Sequence, residues 1–286
     1  MFSYHDDIDE QLAADSAAVI RHDCRHLGFN PMRVTQPGPL AHIESAGQLR
    51  DIFQAVFPDL GELQLEQLRA AIKQSYEEVG WDDGGEPQAP SFHRFVEVLR
   101  NRSGTDKRAQ TLLARLNELD DFRFFAGEEG EASLLEGNEP RLVCIHSVSN
   151  DAVQRAYASF VLYRIYQDMF RRGRQERITH AVIFDEAHRA SKLRLLPTMA
   201  KECRKYGLAL IVASQEARDF ASGLFAAIAN YLVLRVTDQD ARAMARNIAS
   251  SDIERRVIDR LKSLPKFEGL FFAEENRRPV QIRLSK

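Results

Sequence analysis

Cysteine is scarce in this 286-residue sequence: Cys24, Cys144 and Cys203 are the only three, and they lie far apart. An odd count without metal-ligand spacing excludes a disulfide framework and a cysteine-based zinc site, and fits a reducing cytoplasm. A long apolar run is also missing. Stretches such as Leu208–Ala213 fall far short of the ~20 residues that span a bilayer, so no membrane partner is expected. The opening MFSYHDDIDE is acidic, which excludes a signal peptide. Neither sign of charge dominates: 39 Lys and Arg stand against 42 Asp and Glu, for a net charge of −3. That excludes a basic nucleic-acid coat, so any nucleic-acid contact must come from a local patch. Trp81 is the one tryptophan; it sits in a Gly-rich stretch with no aromatic neighbour to make a stacking platform. What is present is ordinary globular composition, 44% hydrophobic and 28% charged, at a length that buries a sizeable core.

The chain divides by character. Leu12, Val19, Ile20 and Leu27 fit one helical face, predicting a helix from about Asp9 to His26 that ends at Gly28. Phe29-Asn-Pro31 and Gln36-Pro-Gly-Pro39 then break regular structure. Residues 36–140 read as a helical insertion. Two helices over 46–78 are separated by Pro58-Asp-Leu-Gly, a loop covers 80–90, and two more helices lie near 91–101 and 105–119. Residues 118–139 hold eight acids against Arg123 alone and read as a solvated acidic loop. From 141 onward, apolar strands alternate with helices. The strands are expected at 142–146, 180–185, 208–213, 231–236, 268–273 and 279–284. The helices are expected at 151–171 (capped by Asp151), 192–206, 218–228, 238–247 and 251–263. The pattern predicts an α/β fold, a mostly parallel sheet covered by helices on both faces. Residues 1–35 would supply a further part of that core.

The run carrying chemistry is HisAlaValIlePheAspGluAlaHisArg, 180–189. Four apolar residues end in Asp185-Glu186, and the carboxyl end of a parallel strand opens onto the ligand crevice. Acids there are costly unless a cation or polar group meets them. In P-loop nucleotidases this is the Walker B position, where one acid helps hold Mg²⁺ and the next polarises the attacking water. Taken alone, the pair could equally cap the following helix. A second apolar strand, LeuAlaLeuIleValAlaSerGln (208–215), ends in Gln215, whose amide can sense a phosphate or the water. Before it lies GluCysArgLysTyrGly (202–207), a basic helix end closed by Gly207. There Arg204 and Lys205 either complement the helix dipole or present a cation to phosphate.

The ordered set VIFDEAHR, ECRKYGLALIVASQ and LFAAIANYLVLRVTDQDARAMAR resembles the HerA/FtsK branch of RecA-like ATPases, which pump or unwind DNA as ring-shaped hexamers. The resemblance covers 141–286, and FSYHDD…LGFNP is similar to the family's second strand and its exit. It implies a RecA-like fold, ATP and Mg²⁺ as cofactors, DNA and further copies of the chain as partners, and action as a translocase or helicase. It assigns Asp185 as the Mg²⁺-associated acid, Glu186 as the catalytic base, Gln215 as the sensor, and Arg204 as the arginine that reaches a neighbouring subunit's nucleotide. One departure is decisive for activity. No G-x-x-x-x-G-K-[ST] occurs; Gly84-Gly85 and Gly127–Gly130 lack the following Lys-Ser/Thr. The phosphate cradle needs those backbone N–H groups and that lysine. The family carries it ahead of the FNP-like segment. The expectation is therefore the C-terminal part of a longer ATPase, with a natural pseudo-ATPase as the other reading.

Residues 171–206 hold ten Lys/Arg against four Asp/Glu, and Arg171, Arg172, Arg174 and Arg177 are the densest run. It reads either as a solubilising helix end or as a phosphate-contacting DNA surface. His188 is expected to have a structural or coupling role, since no second ligand sits at metal spacing. His5, Asp6 and Asp7 read as a frayed acidic terminus rather than a metal cluster. Two rival functions remain: an inactive assembly module that docks nuclease or other effector subunits, and a DNA-binding protein without ATP chemistry. The translocase or helicase reading fits a setting of restriction of, or defence against, foreign DNA.

Overall fold

The computed structural model describes residues 1–5, 19–23, 30–34, 38–81, 88–104, 106–121, 125, 133–186, 195–220, 222–274 and 276–284. Five strands form the main sheet: β1 (Phe2–Ser3), β2 (Ile20–His22), β3 (Arg141–Cys144), β4 (His180–Phe184) and β5 (Leu208–Val212). Their order is β2-β3-β1-β4-β5, and every pairing is parallel. The short β1 is central. Phe2 is in register with both Val143 and Phe184, and its ring stacks on Phe184 at 3.9 Å. Because all five strands run the same way, their carboxyl ends share one edge of the sheet. That edge carries Tyr4-His5, residues 145–147, Asp185-Glu186 and Ala213–Gln215.

The insertion folds as four helices: α1 (Ala41–Val56), α2 (Glu62–Glu77), α3 (Phe92–Ser103) and α4 (Lys107–Asp121). Their ends follow local rules. Ser91 accepts the Arg94 N–H at 3.1 Å to cap α3, and the Gln64 side chain accepts the Gly61 N–H at 3.1 Å at the start of α2. α5 (Asp151–Arg172) joins the insertion to the sheet. Its cap is Asn150, whose side chain accepts the Ala152 and Val153 N–H groups, and not Asp151 as expected. Phe53 of α1 meets Phe160 of α5 edge-on at 5.4 Å and packs against Phe92 and Phe95. Each such fully buried ring contributes roughly 1.5–3 kcal/mol relative to exposure. Trp81 is 6% exposed, edge-to-face with Tyr76 at 6.0 Å, so it belongs to this core. Of the expected acidic loop at 118–139, residues 122–124 and 126–132 lie outside the described residues, and residues 118–121 are the last turn of α4 rather than loop. The loop's described end is anchored, with Leu135 buried and the Leu134 N–H donated to Asp168 at 3.1 Å.

Three expectations are corrected. The segment read as a helix from Asp9 to His26 contains β2. The Ile20 N–H donates to Pro140 O at 2.9 Å and the Tyr157 hydroxyl to His22 O at 2.9 Å, so pairing with β3 overrides the helical spacing. Residues 6–18 and 24–29 lie outside the described residues. The helix expected at 218–228 is instead a 3-10 turn (Ala217–Asp219) and the single turn α7 (Ser222–Phe225). The Tyr231 hydroxyl bonds Phe225 O at 2.5 Å and closes it. The last strands, β6 (Tyr231–Val233), β7 (Glu268–Ala273) and β8 (Asn276–Arg283), make a separate antiparallel sheet ordered β6-β7-β8. With α8 (Asp238–Ile248) and α9 (Glu254–Ser263) it buries its own core around Val233, Met244, Leu261, Leu270 and Phe272. No helix among the described residues is long and apolar enough to cross a membrane. Cys144 and Cys203 are buried and in no disulfide, and Cys24 lies outside the described residues.

Candidate active site

The site is built where β1, β4 and β5 end. β4 and β5 pair along their whole length, from His180 opposite Leu208 to Phe184 opposite Val212. The Ala213 N–H donates to Phe184 O at 2.8 Å and carries the pairing one residue further. This holds Gln215 beside the acids. Its Nε2 donates to Glu186 Oε1 at 3.1 Å. Asp185 Oδ1 accepts the Glu186 N–H at 3.0 Å. Glu186 itself has φ 59, a left-handed conformation that non-glycine residues rarely adopt. Backbone strain of this kind costs about 1–3 kcal/mol and collects at functional sites. The Glu186 side chain is only 12% exposed, so its carboxylate has exchanged much of its water for protein partners.

The sequence missed one member of the cluster. His5, read as part of a frayed terminus, follows the central strand β1, and its Nε2 lies 3.4 Å from Glu186 Oε1. The available signal was an aromatic-polar-aromatic opening, Phe2-Ser3-Tyr4, placing a polar residue at the end of a buried strand. Asp6, Asp7 and His188 lie outside the described residues.

Arg204 sits elsewhere. The helix expected at 192–206 is described as α6 (Leu195–Glu202) followed by a 3-10 turn, Cys203–Tyr206, closed by Gly207 at φ 73 and ψ 25. This turn precedes β5, so Arg204 is at the opposite end of the strand from Gln215, and it is exposed. A Cβ on Gly207 would come within 2.7 Å of Arg177 O, which is why the close approach of these two segments requires glycine. Gln175 N–H donates to Lys205 O at 3.1 Å and Thr179 N–H to Gly207 O at 2.8 Å. The two basic stretches therefore form one ledge, with Arg174, Arg177, Arg204 and Lys205 exposed. The other two predicted DNA contacts are engaged by the fold. Arg171 pairs with Asp168 at 2.9 Å. Arg172 donates to Tyr206 O at 2.5 Å and lies 3.0 Å from His180 Nδ1, and burial lowers its pKa.

Asp185 is the carboxylate that the sequence assigns to a metal. No group of three or more His, Cys, Asp or Glu among the described residues could hold an ion. That donor set fits Mg²⁺, which commonly takes one or two carboxylates and completes its shell with waters and substrate phosphates. It does not fit zinc, which wants several nitrogen or sulfur ligands.

No family model matches the sequence, and no curated protein matches it by sequence. Solved structures do. VirB4 of Thermoanaerobacter pseudethanolicus superposes with a TM-score of 0.75 at 24% identity, over 100% of this chain and 80% of that one. The chain has the RecA-like α/β fold. The bacterial conjugative coupling protein TrwBdeltaN70 agrees, with a TM-score of 0.61 at 14% identity over 97% of this chain and 80% of that one. TrwB in complex with ADP and Mg²⁺ superposes with a TM-score of 0.56 at 12% identity, over the same shares of the two chains. In this parallel sheet the His5, Asp185, Glu186 and Gln215 cluster lies at the carboxyl edge.

Proposed function

We propose that this chain is the catalytic half-site of a Mg²⁺-dependent ATPase that moves on DNA, a translocase or helicase of the HerA/FtsK kind working as a ring. The observation that carries the reading is the strained, shielded Glu186 carboxylate held by Gln215 beside Asp185 at the carboxyl edge of the sheet. Glu186 takes the proton of the attacking water. Gln215 donates to one carboxylate oxygen and so orients the base. Asp185 would hold Mg²⁺, which supplies charge neutralisation at the phosphates when bound. Arg204, remote from its own Glu186, serves a neighbour's site. The missing element is the phosphate cradle, so hydrolysis requires one from outside this stretch of sequence.

Steady-state phosphate release with Mg²⁺, ATP and DNA tests the reading. The isolated chain is expected to give little or no turnover, and an assembly that also holds a G-x-x-x-x-G-K-[ST] loop is expected to turn over. Silence in that assembly would leave the docking-module function. Robust turnover by the isolated chain, lost in Glu186→Gln, would refute the need for an outside cradle.

The basic ledge is the DNA surface in this proposal, through Arg174 and Arg177. Charge reversal at both should weaken binding of unrelated sequences about equally, and the slope of log affinity against log salt should fall by roughly one per lost phosphate contact. Fluorescence anisotropy at several salt concentrations measures both quantities. An unchanged slope leaves these arginines as solubilising groups.

A further inference from the structure

His5 lies on no motif, yet three observations fix its place. Phe2 stacks on Phe184 at 3.9 Å, which ties the carboxyl end of β1 to that of β4. The Ser3 hydroxyl, on a residue with no exposed surface, donates to His5 O at 2.6 Å and sets the backbone where the strand ends. The imidazole Nε2 then lies 3.4 Å from Glu186 Oε1, the same oxygen that accepts from Gln215 at 3.1 Å. One carboxylate oxygen is thus addressed from both flanks, by β1 and by β5, while its own backbone is left-handed at φ 59.

We propose that His5 is a positioning residue for Glu186: with Gln215 it forms a two-sided clamp that fixes the carboxylate at the carboxyl edge of the sheet. The inference rests on the assignment of Glu186 as the base. Physically, a carboxylate contacted from two sides has fewer rotamers open to it than one contacted from a single side. A base displaced by about 1 Å can lose on the order of 10²-fold in rate. Gln215 is exposed, so its contact with the acid competes with water, and the imidazole on the other flank supports it.

The clamp is testable on this chain without turnover, through the Gln215 side-chain amide in ¹H–¹⁵N spectra of deuterated protein. His5→Ala should shift or broaden that amide more than any other side-chain amide, because the Glu186 carboxylate loses the contact from β1 and keeps the one from β5. His5→Gln, which keeps a donor at the same reach, should return it close to the wild-type position. A Gln215 amide that His5→Ala leaves unmoved, in a protein whose backbone spectrum is intact, would overturn the clamp. If His5→Ala does not fold, Glu186→Gln reports instead through the His5 ring signals, which must move if the two side chains touch and stay put if they do not. Failure of the base assignment registers separately, as retained turnover by Glu186→Gln in a cradle-bearing assembly.

Discussion

Glu186→Gln is expected to lower turnover by about 10²–10⁴-fold in an assembly that holds a phosphate cradle, the usual contribution of a positioned general base. The substitution is nearly isosteric. It keeps an oxygen that accepts from Gln215, so the contact observed at 3.1 Å can persist. It leaves Asp185 and its bond to the backbone of residue 186 untouched. What it removes is the basic carboxylate. Binding of Mg²⁺–nucleotide should accordingly stay within a few-fold of wild type while phosphate release collapses, a change confined to the chemical step. Fluorescent-nucleotide titration and single-turnover phosphate release separate the two. The competing explanation is that the acids cap the helix after β4 and do no chemistry. A cap of this kind contributes about 1 kcal/mol of stability, and its loss would lower the unfolding midpoint without touching kcat. Turnover within threefold of wild type, together with a lowered midpoint, would establish that explanation.

The main sheet was legible because parallel strands covered by helices read as unbroken apolar runs, and β3, β4 and β5 each contain one. The convergence of Asp185, Glu186 and Gln215 was legible for the same reason. Each follows such a run, and parallel strands put their carboxyl ends on one edge. What escaped the sequence depends on partners distant along the chain. β2 is three residues long, and its strand state comes from pairing with β3 more than a hundred residues away. β6 and β7 carry the apolar runs Tyr231-Leu-Val233 and Leu270-Phe-Phe-Ala273, but an apolar run says nothing of which sheet a strand joins. Arg172 looked like its neighbours Arg171 and Arg174, and only the fold brings Tyr206 O to its guanidinium. His5 was hidden because a two-residue strand carries no periodicity to mark its end. In each case local pattern identified the residue's chemistry, while long-range packing decided where that chemistry is delivered.

Arg204→Ala in the ring assembly is expected to cut turnover by ~10³-fold while folding and assembly survive, as befits a cation that stabilises charge developing on the transferred phosphate. The geometry makes this a claim about a neighbour. Arg204 precedes β5 and Gln215 follows it, and the five residues of that strand alone span about 16 Å. Its exposed side chain therefore cannot serve the Glu186 of its own chain. Dipole compensation is the competing explanation, and the structure weakens it. α6 ends at Glu202, and Arg204 lies in the 3-10 turn beyond, where its role in the backbone is a carbonyl accepting the Gly207 N–H at 3.1 Å. A charge offsetting a helix terminus contributes under about 1 kcal/mol, too little to change kcat by more than a few-fold. The two explanations therefore differ by orders of magnitude. They differ also in mixed rings. An Arg204→Ala subunit supplies an intact Glu186, and a Glu186→Gln subunit supplies an intact Arg204. Where the first presents its site to the second, one interface is whole again, so mixing two inactive proteins should restore part of the activity. Subunit titrations with phosphate release as the readout measure this. Near-normal turnover of the Arg204→Ala ring, or no recovery on mixing subunits that co-assemble, would return Arg204 to the surface of its own chain.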